Sequence, residues 1–160
     1  MRAPRARLRI VYLQPCARLG GAQRQAATTI AHLGRWNIDV VPVIGPTPLL
    51  CRWLEPQGVR GTIVSRAFPP GWAPGRFASL AAVPAYLSGV RRLADQVESI
   101  VRDGDIDLVM AGAPSAWLAA SRVAARLQVP VVWRTDGSTP GMLAAAALMS
   151  GTISPAASVL

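Results

Sequence analysis

The sequence predicts an α/β domain built on a doubly wound parallel sheet, and three observations predict it. Apolar runs of strand length take turns with segments of helical period along the whole chain. The runs themselves do not alternate polar with apolar residues, the pattern of strands buried on both faces. Glycine-bearing turns separate strand from helix, beginning with Gly20 and Gly21.

The opening unit is the run Leu8-Arg9-Ile10-Val11-Tyr12-Leu13, the turn, and a helix with Ala22, Ala26, Ala27, Ile30, Ala31 and Leu33 at helical spacing. Gly34 is expected to stop that helix. Ile38 to Ile44 reads as the second strand. Pro42 has no N–H to give to a ladder, so this strand is expected near an edge or a strand end. Pro48 to Gln57 predicts a short helix with Leu49, Leu50, Trp53 and Leu54 on one face, and Val59 to Val64 a third strand.

Residues 65–77 form a Pro/Gly loop carrying Phe68, Trp72 and Phe77 with Arg66 and Arg76. Two readings stand: a packed surface loop, or an interfacial loop whose aromatics enter headgroups while arginines meet phosphates. A long helix follows from Pro84 to Arg102, with the proline in its first turn and Gly104 at its end. Asp107 to Ala111 is the fourth strand, Gly112-Ala113-Pro114 a turn, and Ser115 an expected N-cap. The next helix presents Trp117, Ala120, Val123, Ala124 and Leu127. Pro130 to Trp133 is the fifth strand, 141–149 an expected helix, and Ala157 to Leu160 the start of a sixth strand.

At 160 residues, 51% hydrophobic and 16% charged, the chain is long and apolar enough for one folded domain spanning 1–160, and it is not a disordered segment. Its net charge is +9, and every basic residue is arginine. That balance fits nucleic acid, an anionic membrane surface or a phosphate-bearing substrate. The arginines do not gather into a stripe, so nucleic acid is not an expected partner. Cys16 and Cys51 lack metal-ligand spacing and are expected as reduced thiols, with a disulfide as the alternative; neither a metal nor a bound cofactor is implied. No signal peptide or uninterrupted membrane span is read. The expected location is cytoplasmic, with peripheral contact at the inner membrane face left open.

In sheets of this class ligands bind beyond the carboxyl ends of the strands. Three turns converge there: Gly20-Gly21, Gly112-Ala113-Pro114 and Asp136-Gly137. Gly20 and Gly21 open a helix, where free N–H groups and the helix dipole attract phosphate, and a missing side chain lets a ligand approach the backbone. A tight turn needing positive φ explains the same two glycines equally well. Neither G-x-G-x-x-G nor G-x-x-x-x-G-K-[ST] is present. Asp39 stands at the start of its strand rather than the end, which argues against a dinucleotide site.

Arg9-Ile10-Val11-Tyr12-Leu13, Leu19-Gly20-Gly21-Ala22-Gln23-Arg24, the stretch from Asp107 to Pro114, and the stretch from Val129 to Gly137 together resemble the N-terminal, acceptor-side domain of GT-B glycosyltransferases of family 4. That family opens strand, G-G-A-E-R, helix, and later often reads V-P-V-V-x-T-x-H-G. The resemblance implies a Rossmann-like half of a two-domain enzyme moving a sugar from a nucleotide-sugar donor to a glycan or lipid-linked acceptor. It implies that Gly20, Gly21 and Arg24 approach the donor diphosphate across a cleft, although a solvated Arg24 remains the alternative. Gly112, Pro114 and Gly137 are placed by it at the acceptor, and Asp136 at the position of a catalytic histidine, with an Asp-Gly turn as the alternative. Met110 and Gly112 stand where the family often has histidine. His32, the one histidine, is expected to be structural. The family's donor-binding half, with its E-x7-E carboxylates, is absent from these residues. The chain is therefore expected to be incomplete at its C-terminal end, to meet the donor half in cis or in trans, and not to transfer sugar efficiently alone. A non-catalytic subunit that binds acceptor and recruits a separate donor-binding chain to the membrane is the competing expectation.

Overall fold

The structure is a computed structural model, and it describes residues 7–16, 20–46, 48–69, 82–134 and 157–159. Among the described residues, six strands form one parallel sheet: β1 (Leu8–Cys16), β2 (Ile38–Pro46), β3 (Ile63–Val64), β4 (Leu108–Ala111), β5 (Val131–Trp133) and β6 (Ala157–Val159). Their spatial order is β3-β2-β1-β4-β5-β6, every neighbouring pair parallel. This is the order of a Rossmann-like domain and of half of a GT-B architecture. The helices are α1 (Gly21–Arg35), α2 (Cys51–Leu54, continued at both ends by 3-10 turns), α3 (Ala82–Gly104) and α4 (Pro114–Leu127).

The unbroken apolar run of β1 is explained by burial on both sides. Ile10 and Tyr12 face one layer with Ala26, Ala27 and Ile30 of α1 and with Leu50 and Leu54. Val11 and Leu13 face the other, with Val90, Leu93, Val97, Trp117 and Val123 of α3 and α4. All four β1 side chains are at most 1% exposed. Burying a side chain of this size fully is worth about 1.5–3 kcal/mol, so the centre of the sheet is its firmest part.

Several boundaries differ from expectation. Gly34 does not stop α1; the helix runs to Arg35 and turns out through Asn37, whose φ is +59°. Asparagine tolerates the left-handed region, so it serves where glycine was expected. The third strand is only Ile63–Val64. That shortness is what accommodates Pro42. Its neighbour Ile44 accepts from Ser65 on the β3 side, so the nitrogen of Pro42 faces that same side, before β3 begins. Ser115 is not the N-cap of α4. Pro114 takes the first helical position, where its missing N–H costs nothing, and this makes Ala113 the cap, without a side-chain hydrogen bond. Residues 141–149 lie outside the described residues.

Arg9 ties the amino ends of the central strands together. Its guanidinium reaches Asp39 at 3.0 Å and the carbonyl of Gly104 at 2.8 Å, while its backbone N–H donates to Asp107 Oδ2 at 2.9 Å. Phe68 packs into the α3/α4 layer and against Gly45. It is half-buried against the core, which favours the packed-loop reading for Phe68; Trp72 and Phe77 lie outside the described residues.

Candidate functional site

The strand order changes direction between β1 and β4. The chain winds from β1 outward to β2 and β3, then returns to place β4 on the other side of β1. At such a switch point the helices following the two strands leave on opposite faces, and a crevice opens at the carboxyl edge. The helices concerned are α1, packed on one face, and α4, packed on the other.

At the head of α1, Gly20 is extended (φ −123°, ψ −170°), and neither Gly20 nor Gly21 is among the positive-φ residues. The turn reading of the double glycine therefore fails. Gly20 has no side chain to cap the helix. Gln23 Oε1 accepts from the Gly20 N–H at 3.0 Å, and the N–H groups of the first turn have no intrahelical acceptor. No acidic residue stands in that turn. Among the described residues, a Cβ on Gly21 would meet nothing within 4 Å. The result is an open, electropositive helix end accessible to a ligand backbone or oxyanion. Arg24 is exposed but not freely solvated. Its guanidinium lies 5.1 Å from the ring centre of Trp53 on α2, a cation–π contact worth about 0.5–1 kcal/mol at an exposed site.

At the head of α4 the backbone is held tightly. Gly112 N–H donates to the Leu13 carbonyl at 2.9 Å, and the Ala113 carbonyl accepts from Ala116 and Trp117. Trp117 Nε1 donates to the Ala111 carbonyl at 3.2 Å, and its ring stacks on Trp133 with centroids 5.5 Å apart. Gly112 leaves room for Gln14: a Cβ there would lie 2.1 Å from Gln14 Oε1, and the Gln14 side chain would have to shift. Gln14, the polar residue that closes the β1 run, is 1% exposed. Its Nε2 donates to the Pro15 carbonyl at 3.3 Å, and its Oε1 is buried without a hydrogen-bond partner. An orphaned buried amide oxygen costs about 1–3 kcal/mol. It lies beneath the β4–α4 turn, covered by Gly112 and closed to a ligand.

At the end of β5, Arg134 Nη1 donates to the Tyr12 hydroxyl at 2.6 Å. That bond spans the carboxyl ends of β1, β4 and β5. Asp136 and Gly137 follow two and three residues later and lie outside the described residues. Of the expected site residues, the structure brings Gly20, Gly21, Arg24, Gly112 and Pro114 to the carboxyl edge. It adds Gln14 and Arg134. Both carried a readable signal, a polar residue ending an otherwise apolar strand.

Met110 is half-buried in β4. His32 is exposed on α1, its ring nitrogen 2.9 Å from the Thr28 carbonyl, a local helix contact. Cys51 is a free thiol whose pKa is pushed up, first by burial and then by Glu55, the opposite of what a nucleophilic thiolate needs. Among the described residues, no three His, Cys, Asp or Glu side chains gather to hold a metal, and no helix is long and apolar enough to cross a membrane.

No protein-family model matches the chain, and no curated protein matches it in sequence. Solved structures match its fold. CalG4, the calicheamicin glycosyltransferase, superimposes with a TM-score of 0.60 at 17% identity, over 92% of this chain and 38% of CalG4. The UDP-GlcNAc 2-epimerase of Neisseria meningitidis, solved bound to UDP-GlcNAc, gives 0.59 at 15% identity, over 86% of this chain and 35% of the epimerase. HepE of Anabaena, solved with UDP-glucose, gives 0.55 at 13% identity, over 96% and 43%. These likenesses show the fold, a Rossmann-like half of a GT-B architecture. The chain spans well under half the length of each of these three proteins.

Proposed function

We propose that this chain is the acceptor-binding half of a glycosyltransferase that moves a sugar from a nucleotide-sugar donor to a glycan or lipid-linked acceptor. The observation that carries the reading is the glycine-opened, uncapped head of α1 at the β1/β4 switch point, with open space where the Gly21 side chain would be. Solved proteins of this fold bind UDP-glucose and UDP-GlcNAc, and one is a glycosyltransferase.

In this reading the donor is held by a second Rossmann-like half, in cis or on another chain. The first-turn N–H groups of α1 face the donor diphosphate across the cleft and stabilise the charge that develops as the sugar–phosphate bond breaks. Arg24 adds a cation there, held by Trp53. Acceptor hydroxyls lie over Gly112 and Pro114, and Asp136 takes the hydroxyl proton. No metal or bound cofactor enters the scheme. The charge of +9 draws the protein to anionic surfaces, which suits a lipid-linked acceptor and a place in the cytoplasm or at the inner membrane face.

The test is a titration of the purified chain with nucleotide sugars and with a panel of soluble glycans and short-chain lipid-linked sugars, read by calorimetry and by product formation. Acceptor binding without turnover supports the proposal. Turnover by this chain alone overturns the assignment of the donor site to a second half. Absence of binding to every member of both panels overturns the glycosyltransferase reading.

A further inference from the structure

A second groove lies at the opposite end of the sheet. It is formed by the last turn of α1, the first residues of β2, residues 56–60 and Arg7, and has a volume of about 630 Å³. That is the size of a small-ligand pocket. Its charged residues are Arg7, Arg35, Arg60 and Asp39. Asp39 is already paired, 3.0 Å from Arg9 Nε. Among the described residues none of the three lining arginines has a carboxylate partner.

The helix end in this groove is a carbonyl end, which contributes roughly half a negative charge. Three guanidiniums exceed it several-fold. Like charges sharing one groove repel, and a bound anion removes that repulsion while taking up their donors. Guanidinium matches the geometry of phosphate oxygens two at a time. The rim carries exposed apolar groups: Trp36 is 77% exposed, and Leu8, the register partner of Ile38, is 44% exposed.

We propose that this groove binds a phosphate-bearing anion between Arg7, Arg35 and Arg60, at a site separate from the carboxyl edge and independent of the sugar-transfer reading. The phosphate has two sources, a soluble diphosphate or the headgroup of an anionic lipid against which Trp36 and Leu8 also rest.

The experiment compares four proteins: the parent chain, the double variant Arg35→Glu/Arg60→Glu, the single variant Trp36→Ala, and a control with the same charge change as the double variant on exposed positions of α3 and α4, Arg91→Glu/Arg122→Glu. Each is titrated with inorganic pyrophosphate by calorimetry and spun with vesicles of phosphatidylglycerol or of phosphatidylcholine alone. All five substituted or retained arginines are surface residues, and circular dichroism checks that each protein is folded. Pyrophosphate binding weakened about tenfold or more in the groove variant, and less than about threefold in the control, establishes a soluble-phosphate site. Binding confined to phosphatidylglycerol vesicles, lost in the groove variant and in Trp36→Ala but kept in the control, establishes a lipid-phosphate site in the same groove. Binding that falls equally in both charge variants, or no binding to either probe, overturns the proposal.

Discussion

Replacing Gln14 with methionine separates stability from function at the carboxyl edge. Gln14 Oε1 is buried without a partner, a penalty of about 1–3 kcal/mol. Turning the amide over does not relieve it, because Nε2 then lies against Gly112 and Oε1 against the Pro15 carbonyl. The one bond the side chain makes, Nε2 to that carbonyl, is long at 3.3 Å and contributes at most about 0.5–1.5 kcal/mol. Methionine has nearly the same length and lack of branching, fits the same path beneath Gly112, and carries no polar atom that needs a partner. The balance favours Gln14→Met by about 1 kcal/mol, or roughly 2–4 °C in Tm for a domain of this size. Urea unfolding followed by circular dichroism reads this as a higher midpoint at unchanged slope. Acceptor affinity should stay unchanged in the same variant, because Gln14 is buried beneath Gly112 and touches no ligand. A destabilisation of about 1 kcal/mol or more refutes the reasoning, because it means that Oε1 is satisfied in the folded chain.

Three other outcomes are expected. Gly112→Ala pushes a Cβ to 2.1 Å from Gln14 Oε1 and should cost about 1–3 kcal/mol; adding Gln14→Ala should recover most of that in a double-mutant cycle measured by chemical denaturation. Trp117→Ala removes the stack on Trp133 and the bond to the Ala111 carbonyl and should cost about 3–5 kcal/mol, readable as a lower unfolding midpoint. Burial pushes Tyr86 up to about 12, above its unfolded value of about 10. Its contribution is complete below pH 10 and is lost as pH rises toward 12, by about 2–3 kcal/mol. Tyr86→Phe should flatten the stability profile in that window, and an unchanged slope would assign the loss to other groups.

The fold was legible because its logic is local. Two-sided burial leaves an unbroken apolar run, as in Ile10 to Leu13, and the layers that cover it leave helical period, as in Val90, Leu93 and Val97. Element ends were less legible, because caps depend on backbone geometry that several residue types satisfy. Asn37 does at α1 what Gly34 was expected to do, and Pro114 displaces Ser115 from the cap. At the site, Gly20 and Gly21 were readable as a helix opening, but only their φ angles and the space around them separate ligand approach from a tight turn. Gln14 and Arg134 were readable only as polar residues following apolar runs; their contacts were hidden, since they arise from groups far along the chain: Gly112 lies 98 residues from Gln14, and Tyr12 lies 122 residues from Arg134. Trp53 under Arg24 is a tertiary fact of the same kind.

The most direct test of the central claim is a residue-resolved titration. Amide spectra of the isotope-labelled chain are recorded while a soluble, short-chain lipid-linked sugar is added, and then UDP-glucose. The account predicts shifts concentrated at Gly20, Gly21, Ala22, Gly112 and Ala113. Shifts confined to the amino edge of the sheet, or no shift at the heads of α1 and α4 at saturating ligand, would contradict it.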